Sequence, residues 1–466
     1  MKKLLIKIAL SALSVLSAVM FAACGDKDGG KTTLTVWVAA PLLHNYEQVL
    51  KTQPNNKQAQ VSKEIFDMYA AEFPHINLQL RNNGWSSDLN QALTRAIAGN
   101  TAPDVTVGEI YVPAYIANKH FVALEMGAAL ENDIIEQTAA FGKGADGKWY
   151  AAPVCTGTFG LSINVDVLKD SQILNADESV RDADLIQKGI DPLNPLYWED
   201  LLLICQKIRD YFVNVAGDSY KGGMLLNNTV TGGPWRALAY QRTAGGEIST
   251  DNVTMKMNTA ENEKAFQMMR DLSKTAPDDS INSLNEDIIW NQYFFTNKAA
   301  YIVDGIDTIM RAPNIADAGK IVPAPLPTYK TDGKKSNVLV GSVYFSIVSK
   351  SGKSDYSREQ EFIRFLMREE IQLKLMAADL RVPTRKSVLG GEEIKKLPTY
   401  TLAQPFLEPI TNPEYQFYGG IPSFLKNPAT IWNEYAYFLD DVFKTDTSVS
   451  SLLTTVQTKM TAAYNS

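Results

Sequence analysis

Apolar residues near the start of the chain fall into two alternating periods. Leu34–Val38 is a run of apolar and β-branched residues and predicts a buried strand. Val61, Ile65, Tyr69 and Phe73 recur every fourth position and predict a helix over 57–73, stopped by Pro74. Ile76, Leu78 and Leu80 alternate with polar residues, as in a strand. Leu89, Leu93 and Ile97 share one helical face, with Ser86 or Ser87 suited to cap it and Gly99 to end it. Val105–Val107 is a further short strand. The order β-α-β-α-β is the pattern of a mostly parallel sheet. Ala39–Asn56, with Pro41, His44, Tyr46 and Pro54, reads as one long loop.

The stretch Lys148–Asn164, KWYAAPVCTGTFGLSIN, breaks this regularity. Pro153, Gly157 and Gly160 interrupt an otherwise strand-like run, which excludes an uninterrupted central strand. Two readings fit: an edge strand with a bulge, or a crossover between two α/β domains. The α/β units on both sides favour the crossover.

Beyond it, Trp198, Leu201, Leu202, Cys205, Ile208 and Phe212 mark a helix within Pro195–Phe212, and Gly223–Leu226 a strand. Gly232-Gly233-Pro234-Trp235 opens a helix that Gly245-Gly246 closes. Ala260–Lys274 is amphipathic. Ala300–Val303 and the run from Val343 to Ile347 read as strands, 359–368 and 370–380 as helices. The proline-rich stretches Val322–Pro327 and Pro398–Pro413 read as connectors, and Thr430–Phe443 and Val449–Tyr464 as closing helices.

At 466 residues the chain exceeds one ordinary core. Its 45% apolar and 21% charged content is that of a soluble globular protein. Residues 1–23 stand apart: Lys2, Lys3 and Lys7, then the apolar run Ile8–Ala22, form a secretory signal. Losing those three lysines takes the net charge from −7 to −10, which disfavours nucleic acid as a partner. Residues 24–33 are a polar, glycine-rich tether. Cys155 and Cys205 can pair in an oxidising compartment, although free buried thiols are the favoured state. His44, His75 and His120 have no zinc-site spacing, and no cofactor is expected.

Several motifs, in order, resemble the bacterial extracellular solute-binding proteins of family 1, the group that includes maltodextrin-binding protein. They are Ala98-Gly99-Asn100-Thr101-Ala102-Pro103-Asp104-Val105, Gly147-Lys148 with Tyr150, Pro153, Asn164 and Asp166, PLYWEDL at 195–201, and Asn297–Gly305. Leu380-Arg381-Val382-Pro383-Thr384 adds to them, and Phe21-Ala22-Ala23-Cys24 looks like a bacterial lipobox. The resemblance implies an α/β fold of the type II periplasmic-binding-protein kind, with two lobes, each a mostly parallel sheet flanked by helices. Lobe 1 would be 34–153 with 335–400, and lobe 2 158–328 with 408–466. The hinge would consist of crossovers at 154–157, 329–334 and 401–407.

Ligands of open α/β sheets sit beyond the C-terminal ends of the strands, so site residues are sought there. Trp85 follows the second strand, and Glu109 and Tyr111 follow the third. Thr156 lies in the crossover, where Gly157 occupies the place of an acidic ligand in the maltodextrin binder. Asp304 and Asp307 follow another strand, and Gly341 and Ser342 precede one. By the resemblance, Trp235 and Trp432 fall on aromatic stacking positions. Each has a structural alternative: a core aromatic, a solvated carboxylate or a helix-packing tryptophan. Aromatic faces with flanking carboxylates suit a polyhydroxylated ligand.

The resemblance implies a monomeric substrate-binding lipoprotein of an ABC importer, exported and anchored by a lipid on Cys24. It would pass a carbohydrate to permease subunits and catalyse nothing. Two other classes stand beside it. One is a secreted carbohydrate-active enzyme using Glu109 with Asp304 or Asp307 as paired carboxylates. The other is a surface adhesin lipoprotein.

Overall fold

The computed structural model describes residues 31–466 except 140, 283–284, 306–307, 309–319, 332–334, 339–340 and 419–425. Cys24, the leader, the tether's first seven residues and Asp307 lie outside the described residues.

The chain opens with β1 (Thr32–Trp37), β2 (Ile76–Arg81) and β3 (Val105–Gly108), with helices Lys57–Glu72 and Ser86–Ala98 between them. β1 lies parallel to both β2 and β3, as the alternation of strands and helices requires. Two local expectations change. The stretch 39–56 holds a short helix, Tyr46–Thr52. The next helix has Trp85 at its N-cap position, without a side-chain cap bond. At that helix's end the left-handed residue is Asn100 (φ 53°), not Gly99, and asparagine tolerates this conformation.

The interrupted stretch becomes two strands, β4 (Ala151–Cys155) and β5 (Phe159–Asn164), in different sheets. β4 is the edge of the first sheet, whose order is β2-β1-β3-β10-β4, with β10 at Val343–Ile347. Pro153 is tolerated because an edge strand need not offer every amide. Gly160 is required by close approach, since a Cβ there would lie 2.6 Å from Phe406 Cε1.

β6 (Gly222–Leu225), β7 (Ala299–Gly305) and β8 (Ile321–Ala324) join β5 in the order β6-β7-β5-β8. β9 (Lys335–Val338) pairs with β11 (Tyr415–Tyr418), and β10 (Val343–Ile347) returns to the first sheet between β3 and β4. Two apolar cores follow these sheets. Leu34, Val107, Phe345 and Phe362 belong to the first, and Phe159, Trp198, Tyr301 and Phe438 to the second. A third cluster, with Met376, Val382, Trp290 and Phe406, spans the junction. The fold is the two-lobed α/β arrangement.

Val338 packs in the second core and Asn337 Nδ2 donates to Phe159 O at 3.0 Å, whereas β10 pairs within the first sheet. The proline-rich 398–413 is a helix, Tyr400–Thr411, already packed on the second lobe's β5 and β8, so the last passage precedes it. Pro405 and Pro409 lie inside that helix. Burial of Ala403, Phe406 and Leu407 offsets the hydrogen bonds the two prolines cannot make. Likewise Pro323 sits in β8, an edge strand, not in a connector.

Candidate functional site

At the edge where the chain crosses stand the C-terminal ends of β3, β4, β6 and β7 and the N-terminal ends of the antiparallel β10 and β5. In the first lobe, Gly108 pairs with Tyr344 and Cys155 with Val343. This register lines up Glu109, Ser342 and Thr156 along one sheet edge. Trp85 stands at the helix start just past β2 and is 37% exposed. Glu109 is half-buried. Tyr111 is buried in the first lobe's core beside Val112 and does not present its ring.

Thr156 lies between β4 and β5, where the chain passes from one sheet to the other. Its backbone exchanges two bonds with Val382, 2.9 and 3.0 Å. Its Oγ1 donates to Gly341 O at 3.0 Å and accepts from Ser342 Oγ at 3.2 Å. All three passages therefore meet at one buried threonine. Gly341 has φ 135°, which favours glycine. Thr156 and Ser342, expected as ligand groups, are occupied with one another. Thr158 Oγ1 adds a 2.7 Å bond to Phe406 O.

In the second lobe, β6 and β7 run parallel and end at Leu225 and Gly305. After β6, Asn227 Oδ1 accepts from Thr229 N at 2.9 Å, folding the loop into a turn. The helix Gly233–Thr243 starts there, with Trp235 in its first turn. Trp235 is half-buried and meets Phe159 edge-on, ring centroids 5.0 Å apart. Phe159 begins β5, so Trp235 stands beside the crossover. Trp432, on the helix Pro428–Lys444, donates Nε1 to Val230 O at 2.8 Å. Both tryptophans thus border the loop 227–232.

Beneath Trp235 lies a charged cluster that sequence reasoning missed in part. Arg236 is 5% exposed. Its Nη2 is 2.8 Å from Asp304 Oδ1 and its Nη1 is 3.1 Å from Glu286 Oε1. Its guanidinium lies 5.3 Å from the Trp235 ring and 4.9 Å from that of Trp290. Asp304 Oδ2 also accepts from Thr308 Oγ1 at 2.6 Å. Asp304 therefore holds Arg236 in place, where the sequence suggested a hydroxyl acceptor. Neither Arg236 nor Glu286 falls in a motif. The available signal was Arg236 following Trp235 directly, one turn into a helix that opens at a strand's end.

A family model described as bacterial extracellular solute-binding protein matches residues 64–402. The chain belongs to this family. Its members bind solutes outside the cell, and binding rather than catalysis is the function of this solute-binding protein. The enzyme reading falls with it; Asp304, one of its candidate carboxylates, is paired with Arg236.

Solved structures agree on the fold. The GacH receptor of Streptomyces glaucescens, studied unliganded and with acarbose, superposes with TM-score 0.68 at 18% identity, covering 93% of this chain and 99% of that one. Maltose-bound MalE3 of T. maritima gives 0.67 at 18%, covering 92% and 98%. UgpB of Mycobacterium tuberculosis, in complex with glycerophosphocholine, gives 0.71 at 17%, covering 94% and 99%. Among curated protein sequences none matches. Cys155 and Cys205 are buried and are not paired in a disulfide with each other. Among the described residues no helix is long and apolar enough to cross a membrane.

Proposed function

We propose that this solute-binding protein is the substrate-capturing component of an ABC importer and that its ligand is a sugar or oligosaccharide. The observation that carries the reading is Trp235. A half-exposed indole, braced edge-on by Phe159 and backed by Arg236, stands at the strand ends beside the crossover. Such a ring offers an apolar face to a pyranose. Trp432 and Trp85 supply further aromatic surface, and Glu109 a carboxylate for ligand hydroxyls. Acarbose and maltose in two structural relatives support the same class.

Ligand would bind one lobe first, the lobes would close about the three passages at Thr156, and the closed form would be offered to the permease. The protein would act as a monomer held to the cell envelope membrane by lipid on Cys24, with residues 25–33 as tether. The basic start, apolar run and Phe21-Ala22-Ala23-Cys24 support that anchor.

The test is a thermal-shift screen of the mature protein against maltose, maltotetraose, acarbose and glycerophosphocholine. A ligand that binds only the native state raises the melting temperature. A shift with the saccharides is expected. A shift with glycerophosphocholine alone would overturn the carbohydrate assignment.

A further inference from the structure

The second lobe's cluster contains a carboxylate that is only half committed. Glu286 Oε1 accepts from Arg236 Nη1 at 3.1 Å, Asn227 Nδ2 at 3.2 Å and Thr229 Oγ1 at 3.5 Å. All of these contacts go to one oxygen, and among the described residues Oε2 accepts none. The side chain is 28% exposed, so this second oxygen is neither paired nor sealed away.

Its position is built with care. Gly232 lets Glu286 approach, because a Cβ there would lie 1.6 Å from Glu286 Oε1 and 2.4 Å from Arg236 Nη1. Asn227 and Thr229 belong to the turn that ends β6 and leads into the Trp235 helix. Arg236 links Glu286 to Trp235, lying within reach of both. The buried ion pair with Asp304 fixes Arg236 in turn. A carboxylate held through one oxygen by the Arg236 and Asn227 donors, at 3.1 and 3.2 Å, has little freedom to turn, so Oε2 is presented in a fixed direction.

We propose that Glu286 is a ligand-binding and specificity-determining residue: its Oε2 accepts a hydroxyl of the ligand whose ring covers Trp235. The proposal rests on the carbohydrate reading and adds to it a requirement for a donor at this point. A ligand hydroxyl donates to Oε2. A ligand carboxylate or phosphate placed there would set acceptor against acceptor and charge against like charge. The site therefore favours neutral, hydroxyl-bearing rings at this position.

Maltotetraose, titrated calorimetrically into the mature protein, tests this. Glu286→Gln keeps the shape and the Oε1 acceptor but puts an N–H₂ donor in place of Oε2. Its dissociation constant is expected to rise about 10- to 100-fold, the range of one charge-assisted hydrogen bond. Glu286→Asp keeps the charge beside Arg236 but withdraws the carboxylate, and a similar loss is expected with a melting temperature closer to wild type. Should Glu286→Gln fail to fold, Glu286→Asp decides. Wild-type affinity in a folded Glu286→Gln or Glu286→Asp variant overturns the proposal and leaves the carbohydrate reading intact. A wild type that binds none of maltotetraose, maltose and acarbose removes both.

Discussion

Thr156 Oγ1 donates to the carbonyl of Gly341 at 3.0 Å, tying the first interlobe passage to the second. The bond is partly buried, and Ser342 Oγ completes it from the other side. Thr156→Val preserves shape and removes both partners. Left without its donor in a partly buried place, the Gly341 carbonyl costs about 1 kcal/mol. Urea unfolding is expected to show that loss. Small-angle scattering of the unliganded variant is expected to show a broader distribution of interlobe distances. Unchanged stability and scattering would show that the backbone bonds with Val382 hold the hinge alone.

Asp104 performs the analogous task inside the first lobe. It ends the Ala98–Asp104 motif and reaches Thr35, accepting from its N at 2.8 Å and its Oγ1 at 2.7 Å, while Lys350 Nζ lies at 2.7 Å. Burial pushes its carboxyl up, but the Lys350 and Thr35 hydrogen bonds outweigh burial and hold it below the usual carboxylate range. A depressed folded-state value means stability that is fully present above the unfolded value, about 3.9, and lost as pH falls through the folded one. Asp104→Asn is expected to cost about 1–3 kcal/mol at neutral pH. The gap from wild type should narrow below about pH 4. A gap independent of pH would assign the loss to packing.

Trp235→Ala is expected to weaken saccharide binding by about 2–4 kcal/mol, or roughly 30- to 1,000-fold, from stacking plus apolar area. Because the ring is half-buried against Phe159 and Arg236, some stability goes too, about 1–2 kcal/mol. Trp235→Phe should restore most of the stability and part of the affinity. Calorimetry beside melting curves separates the two effects. Intact binding with collapsed stability would make Trp235 a core residue only.

Saturating saccharide is expected to reduce the radius of gyration. The three passages between lobes gather at Thr156, Gly341 and Val382, so rotation there moves whole lobes. Proven binding with an unchanged radius would mean that the lobes do not close on the ligand.

Cys24→Ser is expected to move the protein from the membrane fraction to the soluble one in its native cell. A variant that stays with the membrane would refute lipid anchoring at this residue.

Periodicity alone carried the first lobe. Strands β1 to β3 and the helices between them stand within a residue or two of where the four-residue and two-residue spacings placed them, because each buries one regular face. The interrupted run at 148–164 announced a change of domain, since proline and glycine spoil a central strand wherever they stand. Proline content misled at 321–327 and 398–413. Local propensity favours a connector there, yet tertiary burial of Phe406 and Leu407 and an edge position for Pro323 override it.

For the site, the sequence by itself determined that aromatic and acidic residues follow strands, and hence which residues stand near the interlobe edge. It could not say which side chains would be consumed by one another. Thr156 and Ser342 went to the hinge, Tyr111 to the core and Asp304 to Arg236. Glu286 lies 50 residues beyond Arg236 and in no motif, and only folding brings their side chains to 3.1 Å. The physical reason is the same in each case. Burial obliges polar groups to find partners, and the partner is chosen by three-dimensional proximity, which residue spacing along the chain does not encode.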